Sequence, residues 1–375
     1  MKIKRYYHDL DGYLKPNKAL ILYGPRQVGK TTLLKDFLAK TKLRHRLDSG
    51  DNIRIRESLG SENFDFIREY AQGYELIAID EAQKIPNIGQ ALKILVDEVP
   101  GIRLIATGSS SFELAGQVGE PLTGRKITLT LYPVAQMELK NHYNLFELKD
   151  NLEMNLVFGG YPEACTAGSR EEKSRVCLEI ADSYLIKDIL ELERVKSSKV
   201  LLDLLRLLAF QVGNEVSLTE LASHLGIDYK TVARYLDLFE KSFVIYNLRG
   251  FSRNLRNEIT KKSKYYFYDN GVRNAVISNF NSLSLRNDVG QLWENFLFME
   301  RLKKRAYRDI PANPYFWRTW QKEEIDLVEE REGRLFGYEF KWSRTKLKKH
   351  KEWSQAYPDS ELSLVTRENF LDFVT

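Results

Sequence analysis

The sequence is short of cysteine and of long apolar runs, and both shortages exclude classes of protein. Its 375 residues include two cysteines, Cys165 and Cys177, whose spacing suits neither a metal site nor a disulfide framework, so a reducing compartment is expected. No segment approaches the ~18 uninterrupted apolar residues of a membrane span. The charged, aromatic start MKIKRYYHDLDGYL does not predict a signal peptide. These absences predict a cytoplasmic protein with no membrane partner.

A strong excess of one charge is also lacking. The net charge is +5, and charged residues make up 29% of the chain. This mild basicity permits DNA as a partner without requiring it. The hydrophobic fraction of 43% is ordinary for a globular protein. Because a single core stops growing near ~250–300 residues, a chain of 375 residues is predicted to form more than one domain.

The clearest motif follows a short apolar run near the start of the chain. Ala19–Tyr23 predicts a buried parallel strand, and Gly24, Gly29, Lys30 and Thr31 then fit the pattern G-x-x-x-x-G-K-[ST]. Backbone N–H groups of such a loop cradle phosphates, the lysine reaches the outer phosphates, and the threonine hydroxyl can bind Mg²⁺. A purely structural glycine turn is the alternative. The residues expected to contact ATP are Gly24, Pro25, Arg26, Gln27, Val28, Gly29, Lys30, Thr31 and Thr32.

A second apolar run ends in two acids, within the segment ELIAIDEAQ. Leu76–Ile79 predicts another buried strand, and Asp80 and Glu81 follow it. This pattern resembles a Walker B element, in which Asp80 would hold Mg²⁺ and Glu81 would orient or deprotonate the attacking water. A strand that ends in acids is common by itself, but its place downstream of a P-loop favours an ATPase.

Two further positions are candidates for ATP hydrolysis. Thr107, or alternatively Ser109, follows the apolar strand Arg103–Ala106 and could sense the γ-phosphate, although the same residues could cap a helix. Arg125 precedes a predicted strand at Lys126–Thr130, where ring-forming ATPases often place an arginine finger for a neighbouring subunit. A solvated arginine is the alternative. The finger would imply a homo-oligomer.

The order of these motifs resembles a known family. GPRQVGKTTLL, IDEAQKIPN, ATGSSSFEL, LTGRKITLTLYP and GGYPEA occur in the same order in bacterial AAA-type ATPases that carry a C-terminal domain of uncharacterised function. The resemblance covers nearly the whole chain and implies ATP binding and hydrolysis. In related signal-transduction ATPases a glycine-and-proline motif lies at the lid hinge near the nucleotide base, and Gly160, Tyr161 and Pro162 resemble it. Pro162 is therefore a candidate nucleotide contact, with a turn between helices as the alternative.

The segment that follows Ser217 indicates a winged helix-turn-helix. Ser217 and Glu220 form a capping-box pattern, Gly226 marks a turn, and a second helix is predicted from Tyr229 to Glu240. Protein docking is the alternative to DNA binding for such a module. The side chains that this second helix could present to DNA are Tyr229, Lys230, Thr231 and Arg234.

The end of the chain resembles the restriction-endonuclease-like fold. A predicted helix carries Glu294, and a predicted hairpin follows it, with Asp326 on one strand and Glu339 and Lys341 on one face of the next. Asp326 and Glu339, completed by Glu294, could hold Mg²⁺, and Lys341 could stabilise developing charge or help to activate water. The alternative is a surface hairpin with alternating charges.

We therefore predict an α/β protein with four parts. These are an AAA-type P-loop ATPase core with a parallel sheet at 1–135, a helical lid at 136–200, a winged helix-turn-helix at 201–262 and a nuclease-like α/β domain at 263–375. The nucleotide state of the ATP-binding and hydrolysing core would control a DNA-directed C-terminal module, with nuclease activity as one form of it. The alternative is a nucleotide-driven switch or scaffold whose nuclease-like domain is non-catalytic and docks protein or DNA.

Overall fold

The computed structural model describes residues 2–109, 118–119, 121–185, 198–252, 263–319, 323–343, 346–347 and 350–375. The chain divides into two compact units. One unit, the P-loop unit, holds Lys4–Tyr132 and Lys241–Phe243. The other, the C-terminal unit, holds Pro133–Glu240 and Val244–Thr375, together with the residues up to Ile3. Within the described ranges, no helix combines the length and the apolar character needed to cross a bilayer.

A parallel five-stranded sheet forms the centre of the P-loop unit. The strand order is β2-β3-β4-β1-β5, and every pairing is parallel. The strands of this sheet are β1 (Lys18–Tyr23), β2 (His45–Ser49), β3 (Leu76–Asp80), β4 (Arg103–Thr107) and β5 (Lys126–Thr130). The central strands β1, β3 and β4 are almost wholly apolar and buried, because helices cover a parallel sheet on both faces. The parallel α/β sheet predicted for the P-loop region is thus confirmed.

Four helices pack with this sheet in the described part of the unit. They are α1 (Lys30–Leu38), α2 (Ile53–Gly60), α3 (Phe64–Ala71) and α4 (Ile88–Glu98). Asn52 and Asn63 cap α2 and α3 by accepting hydrogen bonds from backbone N–H groups. The apolar face of α4 is buried in the core with Leu59, Ile67 and the strand residues.

The topology of the sheet brings three strand ends together. Both β1 and β3 pair with β4, so the carboxyl ends of these three strands are neighbours on one edge. The P-loop follows β1, Asp80 ends β3 with Glu81 directly after it, and Thr107 ends β4. Ligands of open parallel sheets bind at the carboxyl ends of the strands, so the fold itself assembles the candidate site.

Short helices lead into the C-terminal unit. Its helices, in chain order up to the helix pair, are α5 (Gln136–Leu139), α6 (Leu145–Asp150), α7 (Leu152–Phe158), α8 (Pro162–Thr166), α9 (Arg170–Glu179) and α10 (Ser198–Phe210). The pair itself consists of α11 (Leu218–Leu225) and α12 (Tyr229–Lys241). Gly226 separates them at a φ of 64°, a left-handed conformation that suits glycine. An antiparallel sheet of order β6-β8-β7 accompanies the pair, built from β6 (Glu215–Val216), β7 (Ile245–Arg249) and β8 (Ser263–Phe267). The winged-helix interpretation of these elements stays a prediction.

A mixed four-stranded sheet of order β12-β11-β10-β9 follows. Its strands are β9 (Asn313–Arg318), β10 (Glu324–Arg331), β11 (Arg334–Phe340) and β12 (Glu361–Val365). The hairpin predicted around Asp326 and Glu339 is formed by β10 and β11, which pair antiparallel, whereas β12 pairs parallel to β11. The remaining helices of this part are α13 (Asn270–Val276), α14 (Val289–Tyr307), α15 (Lys351–Ala356) and α16 (Phe370–Val374). The nuclease-like interpretation of this sheet, like the four domain boundaries, stays a prediction.

Candidate active site

Two glycines allow the backbone conformation of the P-loop between β1 and α1. Gly24 has a φ of 144° and Gly29 a φ of 96°. A Cβ atom built at Gly24 would lie 2.0 Å from the carbonyl oxygen of Leu131, a distance that no side chain can tolerate. Gly24 is therefore required both by its dihedral angle and by the close approach of the chain after β5.

Lys30 begins α1 and its ammonium lies inside the loop. Nζ donates hydrogen bonds of 2.8 Å to the Gly24 carbonyl and 2.7 Å to the Pro25 carbonyl. The residue is 5% exposed. These contacts hold a positive charge against the loop that the sequence predicts to bind phosphate, which is where an ATP-binding lysine is needed.

The oxygens of three side chains meet near the ends of β3 and β4. Thr31 Oγ1 donates a 2.8 Å hydrogen bond to Asp80 Oδ2, and the Thr107 hydroxyl donates to the other oxygen of the same carboxylate. Hydroxyl and carboxylate oxygens are the ligands that Mg²⁺ prefers, and one or two of them suffice when phosphates and water complete the shell. The residues present at this position therefore fit a nucleotide-bound Mg²⁺.

Glu81 lies beside this group in a left-handed backbone conformation, with a φ of 50°. Its backbone N–H donates to Thr107 Oγ1 at 3.4 Å. The Gln83 amide donates a 2.6 Å hydrogen bond to Glu81 Oε2 and a 3.3 Å hydrogen bond to Ser109 Oγ. Gln83 thus holds the carboxylate of Glu81 in place. This contact was not predicted, and the only sequence signal for it is that Gln83 stands two positions after Glu81 in the motif.

The other predicted residues of the P-loop differ in exposure. Val28 is fully buried, and its carbonyl accepts a hydrogen bond from Arg5. Gln27 and Thr32 are exposed, and Arg26 is half-buried. Arg5 was not predicted, because nothing in the local sequence marks it as part of this site.

Two predicted residues outside the loop have local partners. Arg125 Nε donates to Asp97 Oδ1 at 2.7 Å, and both side chains are partly exposed. Pro162 is the first residue of α8, in the C-terminal unit. The role of Arg125 as a finger and that of Pro162 as a nucleotide contact stay predictions.

The predicted cluster of the C-terminal unit centres on Asp326. Asp326 Oδ2 accepts a 2.7 Å hydrogen bond from the Phe340 N–H and lies 3.6 Å from Lys341 Nζ. Glu339 is buried and hydrogen-bonded to His350. Asp326 and Lys341, predicted from separate strands of the hairpin, therefore come together.

Glu294 of α14 has its own set of partners. It accepts hydrogen bonds of 2.6 Å from the Tyr266 hydroxyl and 3.2 Å from Lys264 Nζ. Lys264 also contacts Glu324 at 2.5 Å. Burial lowers the pKa of Lys264, but the charges of Glu294 and Glu324 outweigh that effect and raise it. Among the residues that the structure describes, no group of three or more His, Cys, Asp or Glu is arranged to hold a metal ion.

The electrostatics of Asp326 are unusual for a carboxyl group. Burial is the largest cause that raises its pKa, and the charge of Glu294 adds to it, giving a value of about 7. Lys341, Lys264 and the Phe340 N–H act in the opposite direction. Asp326 therefore holds a proton in the folded protein over a pH range in which an ordinary aspartate is ionised.

Known families match three stretches of the chain. Residues 16–140 match the model of an AAA domain. Residues 149–283 and 289–371 match two domains of unknown function, DUF8612 and DUF4143. The AAA match covers the P-loop, the two acids at the end of β3, Thr107 and Arg125, which are the motifs on which the ATPase prediction depends.

The chain is also similar to proteins described as uncharacterized. One from Mycobacterium tuberculosis is 29% identical over 87% of this chain and 70% of its own length. One from Methanocaldococcus jannaschii is 26% identical, over 87% of this chain and 75% of its own. One from Haemophilus influenzae is 24% identical over 77% of this chain and 76% of its own length.

Among solved structures, the chain matches a Signal Transduction ATPase with Numerous Domains from Pyrococcus horikoshii, which has a tetratricopeptide repeat sensor. The match has 13% identity and a TM-score of 0.28, and covers 80% of this chain but 46% of that protein. A TM-score this low supports no structural argument. The parallel sheet and the P-loop geometry agree with the family match, and residues 16–140 of this chain resemble an AAA-type P-loop domain.

Proposed function

We propose that this protein is a Mg²⁺-dependent ATP hydrolase whose site is formed by the P-loop and by the ends of β3 and β4. The observation that carries the proposal is the hydrogen bond of 2.8 Å between Thr31 and Asp80. This bond joins the hydroxyl of the P-loop to the acid that ends β3, and the two residues are next to Lys30 and Glu81 in the sequence.

Each residue then has a defined task. Lys30 neutralises the outer phosphates of ATP, and the loop backbone from Gly24 to Gly29 binds them. Thr31 and Asp80 would hold Mg²⁺, which when bound offsets the charge that develops on the phosphates. Glu81, oriented by Gln83, holds the attacking water and accepts its proton. Thr107 is the proposed sensor of the γ-phosphate.

Phosphate release from ATP by the full chain tests this proposal. We expect release that requires Mg²⁺ and stops when EDTA removes the metal. Steady ATP levels in the presence of protein and Mg²⁺ would contradict it.

We further propose that hydrolysis takes place between copies of this chain, with Arg125 acting on the site of a neighbour. Its ion pair with Asp97 is partly exposed, and such surface pairs contribute only about 0–1 kcal/mol, so Arg125 can leave it. Arg125→Ala should then lower the rate by roughly 10³–10⁵, and activity per chain should rise with protein concentration.

Mixing experiments separate a finger in trans from other roles of Arg125. Arg125→Ala mixed with Lys30→Ala should recover activity, since each variant supplies what the other lacks. The matched control is Arg125→Ala mixed with the Arg125→Ala/Lys30→Ala double variant, which should recover none. A rate that is independent of concentration, with no recovery in either mixture, would refute the assignment.

A second candidate function concerns the C-terminal unit, which we propose to be directed at DNA and controlled by the nucleotide state. Tyr229, Lys230 and Arg234 are exposed on α12, as a DNA-contacting helix requires. The distance of 3.6 Å between Asp326 and Lys341 favours a nuclease-like cluster, as does the pKa of Asp326, which burial and then the charge of Glu294 raise. Two acids that repel each other are the groups that a divalent cation stabilises.

A plasmid-cleavage assay with Mn²⁺, with and without ATP, distinguishes nuclease from scaffold. Cleavage that is lost in Asp326→Ala and Glu339→Ala, while ATP hydrolysis persists, would support the nuclease. Wild-type protein that binds DNA without cleaving it would support the scaffold, in which the cluster is non-catalytic.

The raised pKa of Asp326 predicts how the stability of the C-terminal unit depends on pH. The folded state holds a proton up to about pH 7, whereas the unfolded chain releases it near the ordinary value of 3.8. The folded state therefore binds more protons between these values, and its free energy of unfolding should fall as pH rises through this window. Asp326→Asn cannot ionise and should flatten this dependence.

Urea unfolding at pH 5 and pH 7.5, followed by tryptophan fluorescence, measures this effect. The fluorescence reports on the C-terminal unit, because all five tryptophans lie within its range Val244–Thr375. They are Trp293, Trp317, Trp320, Trp342 and Trp353. Asp359→Asn, at an exposed position, is the matched control and should keep the wild-type dependence. An equal dependence in wild type and Asp326→Asn would contradict the prediction.

A further inference from the structure

Arg5 is a buried arginine behind the P-loop that the proposed mechanism does not use. It is 8% exposed, although arginine is rarely buried unless it is paired. Its guanidinium donates one hydrogen bond to the Val28 carbonyl and another, of 2.6 Å, to the Tyr132 carbonyl. These two acceptors lie 23 and 127 positions away along the chain, so Arg5 joins two segments that are remote in sequence.

The Val28 carbonyl belongs to the same peptide group as the Gly29 N–H. In a trans peptide the carbonyl and the N–H point in opposite directions, and the structure contains no cis peptide bond among the residues it describes. Arg5 therefore fixes the direction of a P-loop N–H, which points away from the guanidinium. A positive charge on the carbonyl also polarises the peptide and makes that N–H a stronger donor to phosphate.

Tyr132 lies at a boundary between the two units. It is the last residue before the chain passes from the P-loop unit into the C-terminal unit at Pro133. The preceding residue, Leu131, donates to the Tyr23 carbonyl at 2.8 Å, and its own carbonyl is the atom that excludes a side chain at Gly24. The segment 131–132 thus contacts the start of the P-loop directly and its end through Arg5.

Arg5 also lies close to a second passage of the chain. The residues up to Ile3 belong to the C-terminal unit, and the P-loop unit begins at Lys4. The Arg5 side chain therefore contacts the phosphate-binding loop and Tyr132, and Arg5 itself is the second residue after the boundary between Ile3 and Lys4.

We propose that Arg5 is a positioning residue that aligns the Val28–Gly29 peptide for phosphate and transmits the nucleotide state of the P-loop to the connection at 131–133. The inference rests on the proposed ATPase function. Its physical basis is the rigid fork of the guanidinium, which holds two acceptors at a fixed separation, so that a shift of the Val28 carbonyl moves the Tyr132 carbonyl. A lysine ammonium is a point donor on a flexible stem and does not impose that separation.

Hydrogen exchange of the full chain, with and without MgADP, tests the coupling. In wild type, MgADP should slow exchange both in the P-loop and at Leu131, Tyr132 and Val134. In Arg5→Gln at saturating MgADP, the P-loop should still be protected, the protection at 131–134 should be lost, and the affinity for MgADP should fall at least tenfold. Lys2→Ala, which removes an exposed charge from the same segment, should behave like wild type.

Arg5→Lys keeps the charge and decides the matter if Arg5→Gln does not fold. It should bind MgADP with less than a tenfold loss of affinity relative to wild type, yet lose the protection at 131–134. If Arg5→Lys melts at a lower temperature than wild type but keeps the wild-type protection at 131–134, the role of Arg5 is merely structural and the inference is overturned. Wild-type protein that binds no MgADP would overturn the proposed function first, and the inference with it.

Discussion

Glu81→Gln is expected to bind ATP as tightly as wild type and to lose hydrolysis by about 10²–10⁴-fold, the usual contribution of a general base. The amide has the shape of the carboxylate but cannot accept a proton from water. Because the change leaves Lys30, Thr31 and Asp80 in place, the contacts that bind phosphate and Mg²⁺ are unaffected. The expected separation of binding from turnover is the mark of an interaction made in the transition state.

The measurement pairs a fluorescent ATP analogue for affinity with phosphate release for turnover. Glu69→Gln, an exposed glutamate on α3, is the matched control and should leave both quantities unchanged. If Glu81→Gln hydrolyses ATP at the wild-type rate, the water is activated elsewhere. If it loses affinity as well, Glu81 holds the site together rather than acting as a base.

Lys30→Ala should remove measurable nucleotide binding, with a loss in affinity of at least about 10²-fold. Charge-assisted hydrogen bonds contribute about 1.5–3 kcal/mol each, and the ammonium is expected to form more than one with the outer phosphates. In the structure the ammonium already lies inside the loop, bonded to the Gly24 and Pro25 carbonyls, so little rearrangement is needed for it to meet a phosphate.

Lys35→Ala controls for this substitution, since Lys35 is an exposed lysine on the same helix. It should bind the fluorescent analogue like wild type. The buried ammonium also donates hydrogen bonds to the loop itself, so folding of this variant must be checked. Circular dichroism should show that Lys30→Ala keeps its helices. Equal affinities in wild type and Lys30→Ala would remove the P-loop from the mechanism.

The P-loop half of the site could be predicted because its functional residues follow one another in the sequence. The strand β1, the glycines and Lys30 are adjacent, and the pairing of strands in the parallel sheet then brings Asp80 close to Thr31. The same locality explains why the strands β3 and β4 were predicted with their ends nearly in place.

The supporting residues could not be predicted in this way, because their partners are far along the chain. Arg5 reaches Tyr132 across 127 positions, and Lys264 reaches Glu294 across 30. His350, the partner of Glu339, lies 11 positions after it, directly before α15. Only the tertiary structure reveals these contacts, and they fix the orientation of residues that the motifs identify.

Each chain is expected to bind one Mg²⁺–nucleotide complex at the P-loop. Calorimetric titration of the full chain with a non-hydrolysable ATP analogue, in Mg²⁺ and again in EDTA, measures this binding. We predict one site per chain, with affinity that falls when the metal is removed. Absence of binding heat in Mg²⁺, together with no displacement of a fluorescent nucleotide by excess ATP, would contradict the account.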